Sequence, residues 1–571
     1  MRITSLKIVL LSAALSLLSC SRPGVRTWMM TELRFESSSE YVSADTVWMD
    51  VSFTHPKSGE SLTRPAFWDG NNSIIVRFAP TRKGRWRWES SCPADKSLDG
   101  LRGGFRCAEY DGPLDIYRHG FVKAVPGKKY MEYSDGTPFF YLGDTHWGMY
   151  TEEIDEPGPN AGSTGAASHF KYIVDRRAEQ GFTVYQSEPI GAAFNVADGR
   201  VDAEDIPGFR LADRYYEHIA KAGLVHANAE FFFSSSMREA LAADDKALEN
   251  LSRYWVARFG AFPVMWTLAQ EIDNDFYHER GDQKVYDFTN NPWVKVAGYL
   301  HKHDAYGHPL SGHQENAIFT TVTGRGTELE SVGADGGGAS VFASEEVARC
   351  VGHNWWAAQW SPSLTEPVDP GLVRDYWESP RPAVDYEGRY RGLWTMDFGA
   401  RAQGWIAFLS GFRGYGYGAV DMWLYKSSYD IANDSFDGVD HITVADKLKP
   451  WSEAIEYPSA LQMGYLRSFM ESFDWWNLVP CLSDENGFEA EEGVAYVCAR
   501  TSGMWVLYFY SKDTATGTVS GLPPGEEVSL VWYNPRTGED GERLSVTAAS
   551  DGSLVLPERP DGEDWTLRVL L

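Results

Sequence analysis

The stretch Pro263–Val264–Met265–Trp266–Thr267–Leu268–Ala269–Gln270–Glu271–Ile272–Asp273 combines a short apolar strand with a polar cluster at its end. An amphipathic pattern over Lys246 to Phe259 precedes this stretch and predicts a helix, and the Gly-Ala-Phe-Pro sequence between the two predicts a tight break. A helix, a turn and a buried strand that ends in a carboxylate are typical of one unit of a parallel α/β barrel, in which functional side chains follow the carboxyl ends of the strands.

The same unit recurs through the middle of the chain. Apolar strands are predicted at Phe139–Leu142, Thr183–Gln186, Leu224–Phe231, Val264–Leu268, Pro309–His313, Asn354–Trp360, Ala383–Asp385 and Gly414–Gly418. Helical patterns alternate with them at His169–Gln180, Asp213–Ala222, Lys246–Phe259, Trp293–His303, Leu372–Trp377 and Phe398–Ser410, and a last one covers Ser459–Phe473. This alternation predicts a (β/α)8 barrel over residues 119–478. The stretch Glu315 to Ala348 is rich in Gly, Thr and Ser, and predicts either an irregular loop over the site or a distorted unit.

Both ends of the chain have a β pattern instead. Short alternating runs separated by turn signals predict one β-sandwich over residues 21–118 and another over residues 479–571. The first sandwich is either a packing module or a sugar-binding module that uses Trp68, Trp86 or Trp88, and the sequence leaves both readings open. The predicted fold class is therefore multidomain, with a central (β/α)8 TIM barrel flanked by N- and C-terminal β-sandwich domains.

Composition narrows the class of ligand. Acidic residues outnumber basic ones by 80 to 52, for a net charge of −28. Because binding to nucleic acid needs clustered Lys and Arg, nucleic acid is not an expected partner. The chain has 22 Trp and 29 Tyr, whose rings stack on sugar faces but also fill β-rich cores, and composition does not separate these two uses.

The N-terminus has the pattern of an export signal. Positive charge at Arg2 and Lys7 precedes an apolar run from Ile8 to Leu18 that is too short to span a membrane. The run ends at Leu17–Leu18–Ser19–Cys20, which resembles a bacterial lipobox, in which the signal is cut before the Cys and the Cys carries the lipid. Residues 1–20 are thus predicted to be a lipoprotein signal, and the mature chain to be anchored through Cys20 in the bacterial cell envelope, at the periplasmic face or the cell surface.

The other cysteines fall into two local pairs and one remainder. Cys92 and Cys107 form one pair in the sequence, Cys481 and Cys498 form the other, and Cys350 is left over. Either pair can form a disulfide in an exported protein, and the sequence leaves this open. The metal-binding spacings CxxC and His-rich clusters do not occur in the sequence, so neither a metal nor another cofactor is expected.

Two carboxylates at strand ends suggest glycoside hydrolysis. That reaction needs a proton on the leaving oxygen and a negative group facing the developing oxocarbenium ion, supplied by two carboxyl groups in different environments. Glu271 and Glu387 lie at the ends of the predicted fourth and seventh strands. Asp273 and Asp385 are rivals at two positions' distance, and strand parity does not exclude them, because residues i and i+2 face the same way.

Other polar and aromatic residues follow the same strand ends and are candidates for substrate binding. Asp144 ends the first strand and is predicted either to bind a sugar hydroxyl or to brace the rim of the barrel. The full candidate set is Asp144, His146, Trp147, Glu188, His313, Gln359, Trp360, Tyr390 and Trp423.

The motifs around these residues resemble a known family. The run from Asp135 to Trp147, DGTPFFYLGDTHW, is similar to the opening motif of the apiosidase-like barrel family of glycoside hydrolases. The stretches from Trp266 to Glu271 and from Arg381 to Glu387 resemble its fourth- and seventh-strand motifs, and Ala407 to Trp423 resembles its eighth-strand segment. The N-terminal sandwich is similar to a domain often found before such barrels, and the tail resembles a module labelled a collagen-binding domain.

The resemblance implies a clan A glycoside hydrolase with a retaining mechanism. By position, it implies that Glu271 is the acid/base and Glu387 the nucleophile. The expected function is cleavage of a glycosidic bond in a complex, plant-type polysaccharide or oligosaccharide. The alternative from another class is a surface glycan-binding lipoprotein without catalysis, and a polysaccharide lyase ranks last, because no set of Lys, Arg, Tyr and His stands out at the rim.

Overall fold

The computed structural model describes residues 24–125, 127–146, 149, 154, 168–187, 200–228, 245–267, 292–314, 339–343, 377, 382–392, 395–423, 449–481 and 487–571. The side chains of 228, 292–294, 312–314, 339–343 and 423 are outside this description. Three parts follow one another in the chain, a β domain, a barrel and a second β domain.

The N-terminal domain packs two antiparallel sheets face to face. Its strands are β1 (Thr31–Glu36), β2 (Asp50–His55), β3 (Glu60–Pro65), β4 (Phe67–Trp68), β5 (Ser73–Phe78), β6 (Gly84–Ser91) and β7 (Arg102–Cys107). One sheet has the order β1-β5-β4 and the other β3-β2-β6-β7. Phe53 of one sheet stacks on Phe78 of the other with ring centroids 3.9 Å apart. This apolar layer forms because alternate residues of each strand point to the same side.

The tryptophans considered for sugar binding belong to this core. Trp68 is 1% exposed and Trp86 is 0% exposed, so neither presents a face to a sugar chain. Trp88 is half-buried and packs its ring against Phe35 at 5.6 Å. The structure thus favours the packing role that the sequence left open for these residues.

A helix α1 (Asp115–Arg118) and a hairpin of β8 (Val122–Ala124) and β9 (Met131–Tyr133) lead into the barrel. Eight parallel strands close it in sequence order, as the sequence predicts. They are β10 (Tyr141–His146), β11 (Val184–Ser187), β12 (Val225–Asn228), β13 (Val264–Thr267), β14 (Leu310–Gln314), β15 (Ala339–Ala343), β16 (Ala383–Asp385) and β17 (Gly414–Tyr417). The barrel's helices within the described ranges are α2 (His169–Glu179), α3 (Ile206–Ala222), α4 (Asp245–Phe259), α5 (Pro292–His303), α6 (Asp397–Leu409), α7 (Val420–Trp423), α8 (Trp451–Ala454) and α9 (Pro458–Met470).

The sixth strand corrects the sequence prediction. We expected it at Asn354–Trp360, but β15 takes that place in the barrel, because Leu310 to Gln314 pair with Ala339 to Ala343 on one side and Val341 pairs with Ala383 on the other. The strand therefore lies inside the stretch that we expected to be a loop or a distorted unit. Residues 354–360 lie outside the described part of the chain.

The C-terminal domain is a second sandwich. A six-stranded sheet has the order β18-β20-β21-β26-β23-β24, and a three-stranded sheet has the order β19-β22-β25. The strands are β18 (Val479–Pro480), β19 (Phe488–Ala490), β20 (Tyr496–Arg500), β21 (Met504–Phe509), β22 (Gly517–Val519), β23 (Glu527–Asn534), β24 (Glu539–Thr547), β25 (Leu554–Val555) and β26 (Trp565–Leu570).

The register of the strands shows that the cysteines of one pair are far apart and those of the other are adjacent. Gly84 pairs with Cys107 in the β6–β7 hairpin, so Cys92 lies at the other end of that hairpin, about 25 Å away at about 3.4 Å per residue. A disulfide between Cys92 and Cys107 is therefore excluded, since bridged Cα atoms lie within about 7 Å of each other. Cys481 instead faces Cys498, and its N–H donates to the Cys498 carbonyl at 2.9 Å. All four thiols are free in this structure.

Candidate active site

The carboxyl ends of the eight strands meet on one rim, because all of them run in the same direction. Strand β16 ends at Asp385, and the next residues, 386–391, form a turn on that rim, which we call the Glu387 loop. Backbone hydrogen bonds join this loop to the end of β17, from Gly388 N–H to the Gly416 carbonyl at 3.1 Å and from Arg391 N–H to the Gly418 carbonyl at 2.9 Å. The loop is therefore part of the barrel wall.

Glu387 is half-buried, and Tyr390 orients it. The Tyr390 hydroxyl donates to Glu387 Oε1 at 2.9 Å. The tyrosine ring lies against Gly418, where an added Cβ would come within 2.0 Å of the ring. Only glycine fits at position 418 under that ring, so Gly418 allows Tyr390 to take this position. We expected Tyr390 to bind substrate, and the structure gives it a contact with the candidate nucleophile.

Asp385 differs from Glu387 in its surroundings. Its side chain is 0% exposed, lies under α6 and accepts a hydrogen bond from Gln403 Nε2 at 2.8 Å. Burial and the nearby charge of Glu387 raise the pKa of Asp385 well above its usual range, although Gln403 and Arg389 oppose the rise. In the sequence, Asp385 and Glu387 are two positions apart and would face the same way on one strand. The strand ends at Asp385, however, so the alternation of side-chain directions does not extend to Glu387. A buried carboxyl group that holds its proton is not the nucleophile.

Gln403 was not predicted from the sequence. Its Nε2 donates to Asp385 Oδ2, and its Oε1 accepts from the backbone N–H of Arg389 at 2.9 Å. It thereby contacts the last residue of β16, two positions before Glu387, and a residue of the Glu387 loop two positions after it. The one signal in the sequence is a glutamine in the middle of the apolar helix pattern Phe398–Ser410.

Asp144 and His146 form a buried ion cluster with Arg177 of α2. His146 Nε2 and Arg177 Nε both donate to Asp144 Oδ2 at 2.6 Å, and the His146 ring stacks on Tyr185 at 4.5 Å. Burial alone would raise the pKa of Asp144, but the charges of Arg177 and His146 outweigh burial and lower it. Both side chains are at most 1% exposed, so the structure favours the bracing role for Asp144 and a similar role for His146.

The barrel interior holds further polar groups that the sequence did not indicate. The Tyr141 hydroxyl donates to Gln186 Oε1 at 2.8 Å, and Gln186 Nε2 donates to Thr145 Oγ1 at 2.9 Å and to the Tyr386 carbonyl at 2.9 Å. This network links the first and second strands to Tyr386, the first residue of the Glu387 loop. Its signal in the sequence is the amide side chain of Gln186 at the end of the second predicted strand.

Ser187, the last residue of β11, and His226, the second residue of β12, form a second polar contact. Ser187 Oγ lies 2.6 Å from His226 Nε2. Burial lowers the pKa of His226 to about 3, so the imidazole is neutral at ordinary pH. A neutral, buried imidazole supports its neighbours through hydrogen bonding rather than through charge.

Several predicted site residues lie outside the described residues. They are Cys20, Trp147, Glu188, Glu271, Asp273, Gln359 and Trp360, together with the side chains of His313 and Trp423. Strand β13, which the candidate acid Glu271 follows in the sequence, is the fourth strand of the barrel and ends on the same rim as β16. Of the predicted residues, the described structure thus brings together Glu387 and Tyr390, and separately Asp144 and His146.

Two family profiles match the chain. "Apiosidase-like, catalytic domain" matches residues 125–477, which is more than half of the chain, and "Domain of unknown function (DUF5060)" matches residues 24–93. The barrel is thus a glycoside hydrolase domain of the clan A type. The chain belongs to the apiosidase-like family, and its N-terminal sandwich contains the match to the domain of unknown function DUF5060.

Solved structures share the fold at low sequence identity. A candidate glycoside hydrolase from Bacteroides vulgatus ATCC 8482 has 15% identity, covers 96% of this chain and 99% of its own, and gives a TM-score of 0.64. A glycoside hydrolase family 5 structure from the same organism has 15% identity, covers 81% and 94%, and gives a TM-score of 0.56. No curated protein sequence matches the chain.

None of the helices in the described part of the chain is both long enough and apolar enough to cross a membrane.

Proposed function

We propose that this protein is a retaining glycoside hydrolase in which Glu387 is the nucleophile and Glu271 is the acid/base. The substrate is a glycosidic bond in a complex, plant-type polysaccharide or oligosaccharide. The observation that carries the proposal is the Glu387 loop, in which a half-buried glutamate at the end of the seventh strand accepts a hydrogen bond from Tyr390, while its rival Asp385 is sealed under α6.

The proposed reaction has two steps. In the first, an oxygen of the ionised Glu387 carboxylate attacks the anomeric carbon, the bond to the leaving oxygen breaks, and Glu271 gives its proton to that oxygen. In the second, Glu271 takes a proton from water, the water oxygen attacks the anomeric carbon, and the ester with Glu387 is released. The hydrogen bond from Tyr390 holds one carboxylate oxygen, so that the approach of the carboxylate to the sugar is defined.

The test compares Glu387→Gln and Glu271→Gln with the wild type on a substrate found in a screen of polysaccharides and aryl glycosides. Both changes are expected to reduce kcat by at least about 10²–10⁴-fold, because one removes the group that forms the bond to the sugar and the other removes the group that transfers the proton. A matched control is Glu179→Gln, the last residue of α2, whose side chain is 67% exposed and pairs with Arg176 at 3.0 Å. Full activity of the Glu387 or Glu271 variant would contradict the assignment.

Stereochemistry tests the retaining part of the proposal. With methanol as acceptor, the first-formed methyl glycoside should keep the anomeric configuration of the substrate, as followed by NMR. Inversion would remove the nucleophile role of Glu387. Polysaccharide binding by the wild type without product release across the screen would favour a glycan-binding lipoprotein instead.

The proposal extends to location. The lipobox-like stretch Leu17–Leu18–Ser19–Cys20 supports attachment of the mature chain to the bacterial envelope through a lipid on Cys20. Expression in a bacterial host should place the protein in the membrane fraction, and Cys20→Ala should prevent lipid attachment, as measured by the mass of the mature N-terminal peptide. An unlipidated wild-type protein would refute the anchor.

A further inference from the structure

Gln403 holds the loop that contains Glu387 from both sides. It lies in the middle of α6, is 1% exposed, and makes hydrogen bonds to two residues that flank Glu387 in the sequence. Its Nε2 donates to Asp385 Oδ2 at 2.8 Å, two residues before Glu387. Its Oε1 accepts from Arg389 N–H at 2.9 Å, two residues after Glu387. One amide group thus spans the five-residue segment that has Glu387 at its centre.

The chemistry of the partners sets the orientation of this amide. A backbone N–H only donates, so the Gln403 oxygen must face Arg389 and its NH₂ group must face Asp385. Asp385 therefore has to accept a hydrogen bond through Oδ2. A side chain that lacks either a donor or an acceptor at position 403 leaves one of the two buried partners without its hydrogen bond, which is costly inside a protein.

The Arg389 side chain makes no hydrogen bond to the Glu387 loop in the part of the chain that the structure describes. Its guanidinium is buried, and its Nε and both Nη atoms have no hydrogen-bond partner within the described ranges. Burial lowers the pKa of Arg389 to about 9. On the opposite side, backbone contacts to β17 hold the Glu387 loop, such as that from Gly388 N–H to the Gly416 carbonyl at 3.1 Å. Among the described contacts, the side-chain hydrogen bonds from α6 to residues 385–389 therefore come from Gln403, while Arg391, farther along the loop, pairs with Asp397 of α6 at 3.6 Å.

We propose that Gln403 is a positioning residue for glycoside hydrolysis, in which its amide ties Asp385 to Arg389 and so sets the position of the Glu387 carboxylate. The inference rests on the proposed nucleophile role of Glu387. Gln403 does not touch the reacting atoms. It acts on the reaction because a shift of the loop by about 1 Å is enough to lower the rate about 10²-fold.

The test uses variants that change the polarity of the amide. Gln403→Ala removes both hydrogen bonds, and Gln403→Glu keeps the acceptor for Arg389 but opposes one carboxyl group to another at Asp385. We expect Gln403→Ala to lower kcat by about 10–100-fold with KM changed by less than about threefold, because the loss lies in the placement of the nucleophile. Gln403→Glu should lose activity as the pH rises, since its contact with Asp385 then needs a shared proton.

A double variant restores the contact with the polarity reversed. When Asp385→Asn is combined with Gln403→Glu, the amide introduced at position 385 can donate to the new carboxylate, which still accepts from Arg389 N–H. We expect this double variant to be at least about tenfold more active than Gln403→Glu alone and to lack its loss of activity at higher pH. A merely structural effect of position 403 would not produce this rescue.

Gln462→Ala is the matched control. Gln462 is also a buried helical glutamine, but it contacts Arg401 at 2.6 Å and the Arg536 carbonyl at 3.3 Å, next to the C-terminal sandwich. It should lower the melting temperature without changing kcat. All variants are checked by circular dichroism and thermal unfolding.

The outcomes separate this inference from the proposed function. If Glu387→Gln is inactive while Gln403→Ala keeps the wild-type kcat, the positioning role is wrong and the nucleophile assignment stands. If Glu387→Gln keeps its activity, the proposed function fails. Should Gln403→Ala not fold, the comparison of Gln403→Glu with the double variant decides, and a double variant no more active than Gln403→Glu overturns the positioning role.

Discussion

Glu387 and Asp385 are two positions apart and have opposite surroundings. Asp385 is fully buried and its pKa is raised by burial, whereas Glu387 is half-buried and accepts a hydrogen bond from Tyr390 at 2.9 Å. The difference arises because β16 ends at Asp385 and α6 packs over Asp385 but leaves Glu387 half-buried. At the scale of single residues, the environment rather than the type of the acid separates the candidate nucleophile from a structural group.

Arg177 and Arg176 are neighbours on α2 that provide a matched test of the buried cluster. Arg177 is 0% exposed in its pair with Asp144, whereas Arg176 is 30% exposed in its pair with Glu456. We expect Arg177→Met to lower the free energy of unfolding by about 3–5 kcal/mol, because Asp144 is left as a buried charge. Arg176→Met should cost about 1 kcal/mol or less. Urea unfolding at neutral pH measures both, and equal losses would contradict the bracing role.

The same cluster predicts a pH dependence. The pKa of Asp144 is lowered in the folded protein, so its contribution to stability is present above the unfolded pKa of about 3.9 and is lost as the pH falls toward the folded value. Arg177→Met should therefore show a smaller loss of stability between neutral and acidic pH than the wild type does.

At the scale of elements, strand register decides what the sequence left open. Strand β15 occupies the sixth place in the barrel although its segment, Ala-Ser-Val-Phe-Ala, is short and follows a glycine-rich run. Its pairing with β14 and β16 defines it as a strand, and pairing partners are not visible in a local pattern. By contrast, the long periodic helices α4 and α5 lie within one or two residues of their predicted bounds.

Register also leads to a prediction for the cysteines. Cys481 is partly exposed and faces Cys498, whose thiol is in hydrogen-bond contact with it and has its pKa raised by burial. We expect oxidised glutathione to link these two by thiol–disulfide exchange, in which two thiols lose their hydrogens and one glutathione disulfide is reduced to two thiols. The link should raise the free energy of unfolding of the C-terminal sandwich by about 3 kcal/mol, since it closes a loop of about 17 residues.

Differential alkylation and peptide mass measurement test this prediction. Cys481 and Cys498 lie on one stretch without Lys or Arg, so after oxidation the peptide that contains both should be lighter by two hydrogens and should resist alkylation. In Cys481→Ser, Cys498 should be alkylated and this loss of two hydrogens should be absent. Cys92 and Cys107 are the internal control and should stay unlinked to each other, because they lie at opposite ends of their hairpin. A linked Cys92–Cys107 peptide would show that the register is wrong.

At the scale of the whole molecule, the two sandwiches share cores with the barrel. One apolar cluster joins residues of the N-terminal sandwich to residues of α3, α4 and α5, and another joins α6 and α9 to β20 and β21 of the C-terminal sandwich. Buried charges bridge both contacts, since Arg77 donates to Asp213 at 2.7 Å and Arg401 makes a bidentate pair with Asp564 at 2.9 and 2.7 Å. Part of the tryptophan content is accounted for by packing, because Trp68, Trp86, Trp255, Trp266, Trp405 and Trp451 are all fully buried.

The stretch from Pro263 to Asp273 shows what the sequence alone determined. Its strand, the preceding helix and the repetition of this unit predicted a barrel between two β domains. This was possible because hydrophobic periodicity can be read from consecutive residues, whatever they contact in the folded chain. The tertiary structure decided which strand is sixth, which cysteines meet, which tryptophans are core and which carboxylate of the seventh strand end is buried. These depend on pairing and burial between residues far apart in the chain, and Gln403, sixteen positions beyond Glu387 in the sequence, acquires its contacts only when α6 packs on β16.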